Sequence, residues 1–135
     1  MSNITITNLN VGNVILKSGE FEDNALTFAG AATIKSGTIL ARDSVSLKLV
    51  PFVKGGVTNE NGIPKAVISY EVIATGAGDI QVRVLISGVV RKELLVIDAD
   101  GDDTNVDAKV RDQLRDYNID VVNVDELANV DNPQP

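Results

Sequence analysis

The chain has 135 residues and a mass of 14.3 kDa, with 19 acidic side chains against 12 basic ones and a formal net charge of −7. It contains no cysteine and no histidine, which excludes disulfides, thiolate nucleophiles and cysteine-bound metals, and removes the commonest general base. Aromatic residues make up only 4% of the chain and Trp is absent, so no stacking platform for nucleic acid is expected. A chain of this length is expected to form one domain.

The negative charge is concentrated in the last part of the chain. Residues 98–135 hold eleven acidic side chains against three basic ones, whereas residues 1–97 hold eight against nine. Because such a segment repels phosphate, it is interpreted as a solvated surface or as a contact for a basic protein surface. The chain start lacks the basic and apolar blocks of a signal peptide, and no stretch is long and apolar enough for a membrane span. We therefore expect no nucleic-acid partner and no membrane partner.

Residues 1–18 have the composition of β-strands at a chain end. We expect either an edge strand of the domain or an arm that pairs with another chain. A turn at Ser18-Gly19-Glu20 is predicted to separate this segment from the rest. The side chains that would carry the pairing are Ile4, Thr5, Ile6, Val14, Ile15 and Leu16.

The next part of the chain has the pattern of short extended segments separated by turns. The aromatic residues of 21–28 are spaced for burial, and Gly37 predicts a short β-hairpin or a corner between two apolar pairs. Residues 45–53 have the alternation of a strand with one solvent-exposed face. Pro51 is expected to end the pairing of this strand or to place the strand at a sheet edge. A glycine-rich surface loop is predicted for residues 54–64.

Residues 65–97 are the predicted centre of the domain, because Val, Ile and Leu dominate them. Residues 67–74 are expected to form one strand. The following strand places Ile80, Val82, Val84 and Ile86 on one face with period two. The five residues 75–79 between the two strands have the length and glycine content of a hairpin loop.

An acidic run at residues 98–107 leads into one predicted helix, which is expected to cover the sheet with an apolar stripe. Thr104 or Asn105 is expected to cap it, and Asn118 to end it in the left-handed conformation. A final extended segment covers residues 119–124, and residues 131–135 are expected to fray. The apolar stripe of the helix consists of Val106, Val110, Leu114 and Tyr117.

Candidate chemical sites are few. Asp98, Asp100 and Asp102 match the opening of a calcium loop, but the turn glycine and the closing acid of that motif are missing. Paired carboxylates for acid–base catalysis could come from the same acidic run or from Glu71 and Glu93, both expected on strands, but nothing near the two glutamates in sequence would orient a substrate. The glycines of 76–78 lack the helix and lysine of a phosphate cradle. The sequence therefore predicts no enzyme, no cofactor, no metal and no small-molecule substrate.

The segment AGAATIKSGTILARD at 29–43, a strand ending near Pro51, a glycine-rich loop and the stretch KAVISYEVIATGAGDIQVRVLISGVVRKELL resemble head decoration proteins of tailed bacteriophages. That group is typified by the capsid-stabilising protein of phage lambda. The resemblance covers residues 26–124, and the order of these elements carries it. The chain differs from the family pattern in its longer acidic C-terminal part and its strand-like N-terminal segment.

The resemblance implies a homotrimer on the outer surface of the expanded phage head that clamps neighbouring major capsid proteins. It also implies that the N-terminal segment adds a strand to a capsid sheet, so the six pairing residues of 1–18 become the candidate capsid-binding residues. The expected fold is mainly β (α+β), a compact β-sandwich or barrel-like domain with one short helix in the C-terminal half. The expected organisation is an arm at 1–18, a single domain at 19–130 and a frayed end at 131–135. The alternative is a small β binding or adaptor module of a phage tail or baseplate, with calcium dependence as an option.

Overall fold

The computed structural model describes residues 14–122, except for the side chains of residues 16–18. Within this range the chain forms eight strands, one 3-10 helix and one α-helix. In chain order they are β1 (Ile15–Phe28), β2 (Ala32–Ile34), β3 (Ile39–Arg42), β4 (Leu49–Pro51), β5 (Pro64–Val67), β6 (Val72–Ala74), β7 (Gly78–Arg91), the 3-10 helix Lys92–Leu94, α1 (Ala108–Arg115) and β8 (Ile119–Val122).

Two long strands, β1 and β7, hold the sheet together. Each has 14 residues, and they pair antiparallel from Ile15 opposite Val90 to Phe28 opposite Gly78. The sheet runs in the order β1-β4-β3-β5-β7-β8, and the additional pairing of β1 with β7 closes its first five strands into a barrel. β8 lies beyond β7 and pairs with it in parallel. The prediction of a mainly β, barrel-like domain with one short helix is confirmed.

The barrel strands β3 and β5 bury side chains on both of their faces, which is typical of strands inside a core. On β3, Ile39 and Ala41 belong to one hydrophobic cluster and Leu40 to the other, and all three are fully buried. The second cluster takes residues from all five barrel strands and therefore fills the barrel. The first cluster, called the outer hydrophobic cluster below, lies outside the barrel, beneath α1, β8 and the segment that follows β7. The predicted face of β7 is confirmed, since Val82 and Val84 are buried and Ile80 and Ile86 pack against the same cluster.

The hairpin predicted between residues 67–74 and β7 is wrong. The first of these segments is two strands: β5 contacts β7 through the pair Val67 and Leu85, while β6 pairs with β2 in a separate two-stranded sheet. Residues 68–71 between β5 and β6 turn the chain away from the barrel wall. Because β6 pairs with β2, the strand that pairs with β7 along most of its length is β1, which lies far away in the sequence.

The turn predicted at Ser18-Gly19-Glu20 is also absent. β1 continues through these residues, and the register with β7 shifts between Lys17 and Glu20, as in a β-bulge. An ideal Cβ on Gly19 would lie 1.6 Å from the carbonyl oxygen of Ser87, so the two backbones approach closely at this point. Residues 15–18 therefore belong to a barrel strand, and the predicted division of the chain at residue 18 falls inside β1.

Residues 45–53 form a shorter strand than predicted. Only Leu49–Pro51 is extended and paired, between β3 and β1. Residues 44–46 form a turn, and Leu47 has a positive φ of 65°, a conformation that stops a regular strand. The corner predicted at Gly37 is present, with φ 94°, and it separates β2 in the small sheet from β3 in the barrel.

The helix lies where the apolar spacing predicts it, but its N-cap differs. Asp107, not Thr104 or Asn105, caps α1, with its side chain accepting a hydrogen bond from the Val110 amide at 3.1 Å. Val106, Val110 and Leu114 are buried as expected. Asn118 has φ 69° and ends the helical segment in the left-handed conformation, as predicted. Of the final extended segment, residues 119–122 form β8, and residues 123 and 124 lie outside the described range.

The close approach at the bulge makes a quantitative prediction. Gly19→Ala should lower the free energy of unfolding by about 1–3 kcal/mol, because the added methyl group meets rigid backbone of β7 and forces the strands apart. Gly76→Ala is the matched control, since beyond its chain neighbours no atom lies within 4 Å of the position that the added methyl group would take. Urea denaturation of both variants measures the difference. Equal stabilities of the two variants would contradict the bulge.

Candidate functional site

The structure describes the positions of three of the six candidate binding residues of the N-terminal segment. Val14 is buried in the outer hydrophobic cluster, and Ile15 is half-buried and pairs with Val90. Leu16 lies in β1, and its side chain is outside the described part of the chain. The remaining candidates, Ile4, Thr5 and Ile6, lie outside the described residues. Val14 and Ile15 therefore serve the domain's own sheet.

The chain enters and leaves the described domain at the same place. The carbonyl oxygen of Val14 accepts a hydrogen bond from the Arg91 amide at 2.8 Å. Arg91 is also the register partner of Val122, the last residue of β8. Residues 1–13 and residues 123–135 therefore both connect to the domain beside the end of β7.

A second feature is an ordered loop, residues 43–48, that presents apolar side chains to solvent. One carboxylate oxygen of Asp43 accepts hydrogen bonds from the amides of Val45 and Ser46, at 2.8 and 2.9 Å. These bonds lower the pKa of Asp43, with the Ser46 amide as the larger cause. Val45 and Leu47 remain 75% and 62% exposed. The loop is thus held in one conformation by its own polar groups while its apolar side chains stay in water.

A neighbouring loop supports this one. The Ser44 amide donates to the carbonyl oxygen of Asn59 at 3.0 Å, and the Asn59 side chain donates to the second carboxylate oxygen of Asp43 at 3.4 Å. Val57, in this second loop, is 92% exposed. Large exposed apolar residues on fixed loops are typical of protein contact surfaces.

Three further exposed apolar residues lie on β1, on β6 and in the segment between β5 and β6. Phe21 on β1 and Ile73 on β6 are 42% and 63% exposed, and Tyr70 is 43% exposed. The Tyr70 hydroxyl accepts a hydrogen bond from the Arg83 amide at 2.8 Å, which fixes the ring beside β7. Arg83 also pairs with Asp23 across the two long strands at 2.9 Å, and this hydrogen bond is the main reason that the pKa of Asp23 is lowered.

The apolar alternation of residues 45–49 predicts a strand, and for this reason the sequence does not reveal the loop of residues 43–48. The turn chemistry was present in the sequence: Asp43, Ser44 and Ser46 are the residue types that bond to nearby amides. That pattern competes with strand alternation, and in this loop it determines the conformation.

A groove of about 520 Å³ lies between the first exposed loop and the C-terminal end of α1. Its charged lining residues have both signs, and the Lys65 ammonium lies 3.9 Å from the centre of the Tyr117 ring. The mixture gives no preference for an anionic or a cationic ligand. The charged residues that line it are Glu22, Arg42, Glu60, Lys65 and Asp116.

The acidic run at 98–107 is organised by protein donors. Asp102 accepts from the Thr104 amide at 2.9 Å, Asp100 from the Asn105 side chain at 2.9 Å, and Asp103 pairs with Lys92 at 3.0 Å. The Thr104 hydroxyl is the first cause of the lowered pKa of Asp102. Across residues 14–122, no group of three or more acidic side chains is placed to hold a metal ion.

The strand positions predicted for the remaining carboxylate pair are wrong. Glu71 is exposed and precedes β6, and Glu93 lies in the 3-10 helix, so neither residue lies within a strand. In the described part of the chain, no helix is long and apolar enough to cross a membrane.

Comparison with known proteins identifies a family. The family model for bacteriophage lambda head decoration protein D matches residues 5–119 of the chain, which is well over half of it and spans the barrel, the helix and the first residue of β8. A search of curated proteins finds no match.

The hydrogen bonds to Asp43 predict a specific titration. Because its folded pKa is lowered, the stabilising contribution of Asp43 is complete at neutral pH and is lost as the pH falls through that lowered value. In an NMR titration the Val45 and Ser46 amides should shift together with the Asp43 carboxyl group. Arg83→Gln should raise the pKa of Asp23 and leave that of Asp43 unchanged. A normal Asp43 midpoint would contradict the loop geometry.

Proposed function

Since the chain belongs to the bacteriophage lambda head decoration protein D family, we propose that it stabilises the mature phage head by clamping neighbouring major capsid proteins from outside. Membership of the family places the protein on the capsid of the virion, in a decoration role. The family match over residues 5–119 is the observation that carries the proposal. Beyond this decoration role, we propose that the protein clamps neighbouring capsid subunits, that its partner is the major capsid protein, and that it forms a trimer.

The proposed attachment segment is residues 1–13. It precedes Val14, which is buried in the outer cluster and hydrogen-bonded to the end of β7, so a load on the segment is transmitted directly to a barrel strand. Ile4, Thr5 and Ile6 alternate in the manner of a strand with one apolar face. Addition of such a strand to a sheet edge of the capsid protein would supply backbone hydrogen bonds that offset the entropy lost on ordering.

The proposed assembly is a cyclic trimer. Neighbouring subunits in a closed ring contact one another through two different surfaces of each subunit. The described domain exposes several large apolar side chains. They include Val45, Leu47 and Val57 on the loops, and Phe21 on β1, Ile73 on β6 and Tyr70 between β5 and β6. These side chains supply apolar area of the kind that subunit interfaces bury.

Deletion of residues 1–13 tests the attachment segment. The truncated protein should keep the unfolding temperature of the full chain, because it retains Val14 and all of β1, and it should cosediment poorly with expanded phage heads. Two double variants add equal charge to the two faces of the segment: one combines Ile4→Asp and Ile6→Asp, and the other combines Thr5→Asp and Thr7→Asp. The variant with both isoleucines replaced should bind phage heads more weakly than the variant with both threonines replaced. Full binding by the truncated protein would place attachment elsewhere on the domain.

Light scattering on the free protein at micromolar concentration tests the assembly. The expected mass is three times the 14.3 kDa of the chain, and it should persist at high salt, because apolar contacts are not screened. A monomer in solution that is also found singly on decorated heads would rule out the trimer.

A further inference from the structure

The loop of residues 54–62 ends in the dipeptide Asn61-Gly62, whose chemistry has no part in capsid binding. When glycine follows asparagine, the glycine amide nitrogen can attack the Cγ atom of the asparagine side chain. The new C–N bond closes a succinimide ring, and the side-chain nitrogen leaves as ammonia with the proton that the glycine amide loses. Water then opens the ring to an aspartyl or an isoaspartyl product. Glycine favours the attack because it has no side chain to obstruct it.

Three hydrogen bonds fix Asn61 in the folded protein. Its amide donates to the carbonyl oxygen of Thr58 at 2.9 Å, and its carbonyl oxygen accepts from the Val53 amide at 2.9 Å. Its side-chain Oδ1 accepts from the Thr58 amide at 3.2 Å. The two residues between Thr58 and Asn61 have positive φ values of 47° and 65°, as in a type I′ turn. Asn61 therefore cannot rotate freely to bring its Cγ to the next amide nitrogen.

Close backbone packing surrounds the same dipeptide. An ideal Cβ on Gly56 would lie 2.2 Å from Asn61 Oδ1, and one on Gly62 would lie 2.2 Å from the carbonyl oxygen of Gly56. Gly62 is also buried, which shields its amide from water. An isoaspartyl linkage adds a methylene group to the main chain, and these contacts leave no room for it.

The contacts between this loop and α1 are polar and weak. Lys54 pairs with Asp107 at 2.5 Å, but the two side chains are 35% and 50% exposed. Gln113 Nε2 donates to the carbonyl oxygen of Gly62 at 3.5 Å, which is a long hydrogen bond. Exposed ion pairs stabilise little. A segment held by such contacts opens locally more often than the whole domain unfolds.

We propose that Asn61-Gly62 is a deamidation site that reacts when the loop of residues 54–62 opens away from α1, and that the isoaspartyl product keeps the loop open. The docked loop protects the site through the hydrogen bonds of Asn61 and the packing against Gly56. The reaction consumes only water and is irreversible because ammonia is lost. This modification is independent of the proposed capsid role.

Peptide mapping by mass spectrometry tests the protection on the full chain, incubated folded and in urea at the same mildly alkaline pH. Deamidation at Asn61 should be at least about tenfold slower in the folded protein, because its rate scales with the open fraction of the loop. Gly56→Ala should raise the folded-state rate several-fold, since its methyl group displaces the Asn61 side chain. Gly76→Ala is the matched control and should react like the wild type, because no described atom beyond its chain neighbours lies within 4 Å of its added methyl group. Equal rates in folded and urea-unfolded wild type would overturn the proposal.

A second pair of variants tests the contact with α1 and does not require Gly56→Ala to fold. Lys54→Met removes the ion pair with Asp107, and Lys48→Met removes an ion pair of the same 2.5 Å length with Asp79. Both variants lose one positive charge. Lys54→Met should raise the folded-state deamidation rate about twofold or more, whereas Lys48→Met should leave it unchanged. Equal rates in the two variants would overturn the proposal.

Hydrogen exchange tests the state of the loop after the reaction. Protein that has been deamidated in urea and refolded should lose protection at the Val53 amide, whose acceptor is the Asn61 carbonyl oxygen. The Ile39 amide, which donates to the carbonyl oxygen of Val96, should stay protected as a control. A fully protected Val53 amide in the isoaspartyl product would show that the loop docks again, and would overturn the proposal.

Discussion

The antiparallel pairing of β1 with β7 is the constraint on which the rest of the structure depends. It joins residues 15–28 to residues 78–91, closes the barrel and brings the two ends of the described chain together beside Arg91. Contacts so distant in sequence carry a large loop-closure cost, which the two hydrophobic clusters must offset. The bulge at Gly19 allows the strands to remain paired where their backbones almost touch.

The same pairing links the fold to its use on a capsid. β1 begins at Ile15, next to Val14, and pairs with β7 from Ile15 to Phe28 with register shifts near residue 19, so a load applied at Val14, as the proposed attachment implies, would act on the barrel and not on a single loop. The surface ion pairs, such as Arg83 with Asp23, are exposed and contribute little to stability. The stability of the domain therefore rests on the strand ladder and on side chains buried on both faces of β3 and β5.

Local patterns in the sequence predict the elements whose burial is periodic. The face of β7 and the helix stripe at Val110 and Leu114 follow from spacing alone. The N-terminal half of β1 is not predictable in this way, because Ser18, Gly19 and Glu20 are turn-forming residues that only the distant strand β7 holds extended. The strand predicted at the Asp43 loop is wrong for the opposite reason, because local side-chain hydrogen bonds override an alternating apolar pattern. The exposed apolar groups depend on tertiary placement, which one sequence does not reveal.

Orientation on the shell tests the central claim most directly. Cryo-electron microscopy of expanded heads of the parent phage, decorated with the full chain, would reveal which end of the barrel faces the capsid. If the N-terminal segment attaches the protein, the end carrying Val14, Arg91 and Val122 should face the shell, with density continuing from Val14 into a sheet of the capsid protein. A barrel bound with that end pointing to solvent would contradict attachment through the N-terminal segment.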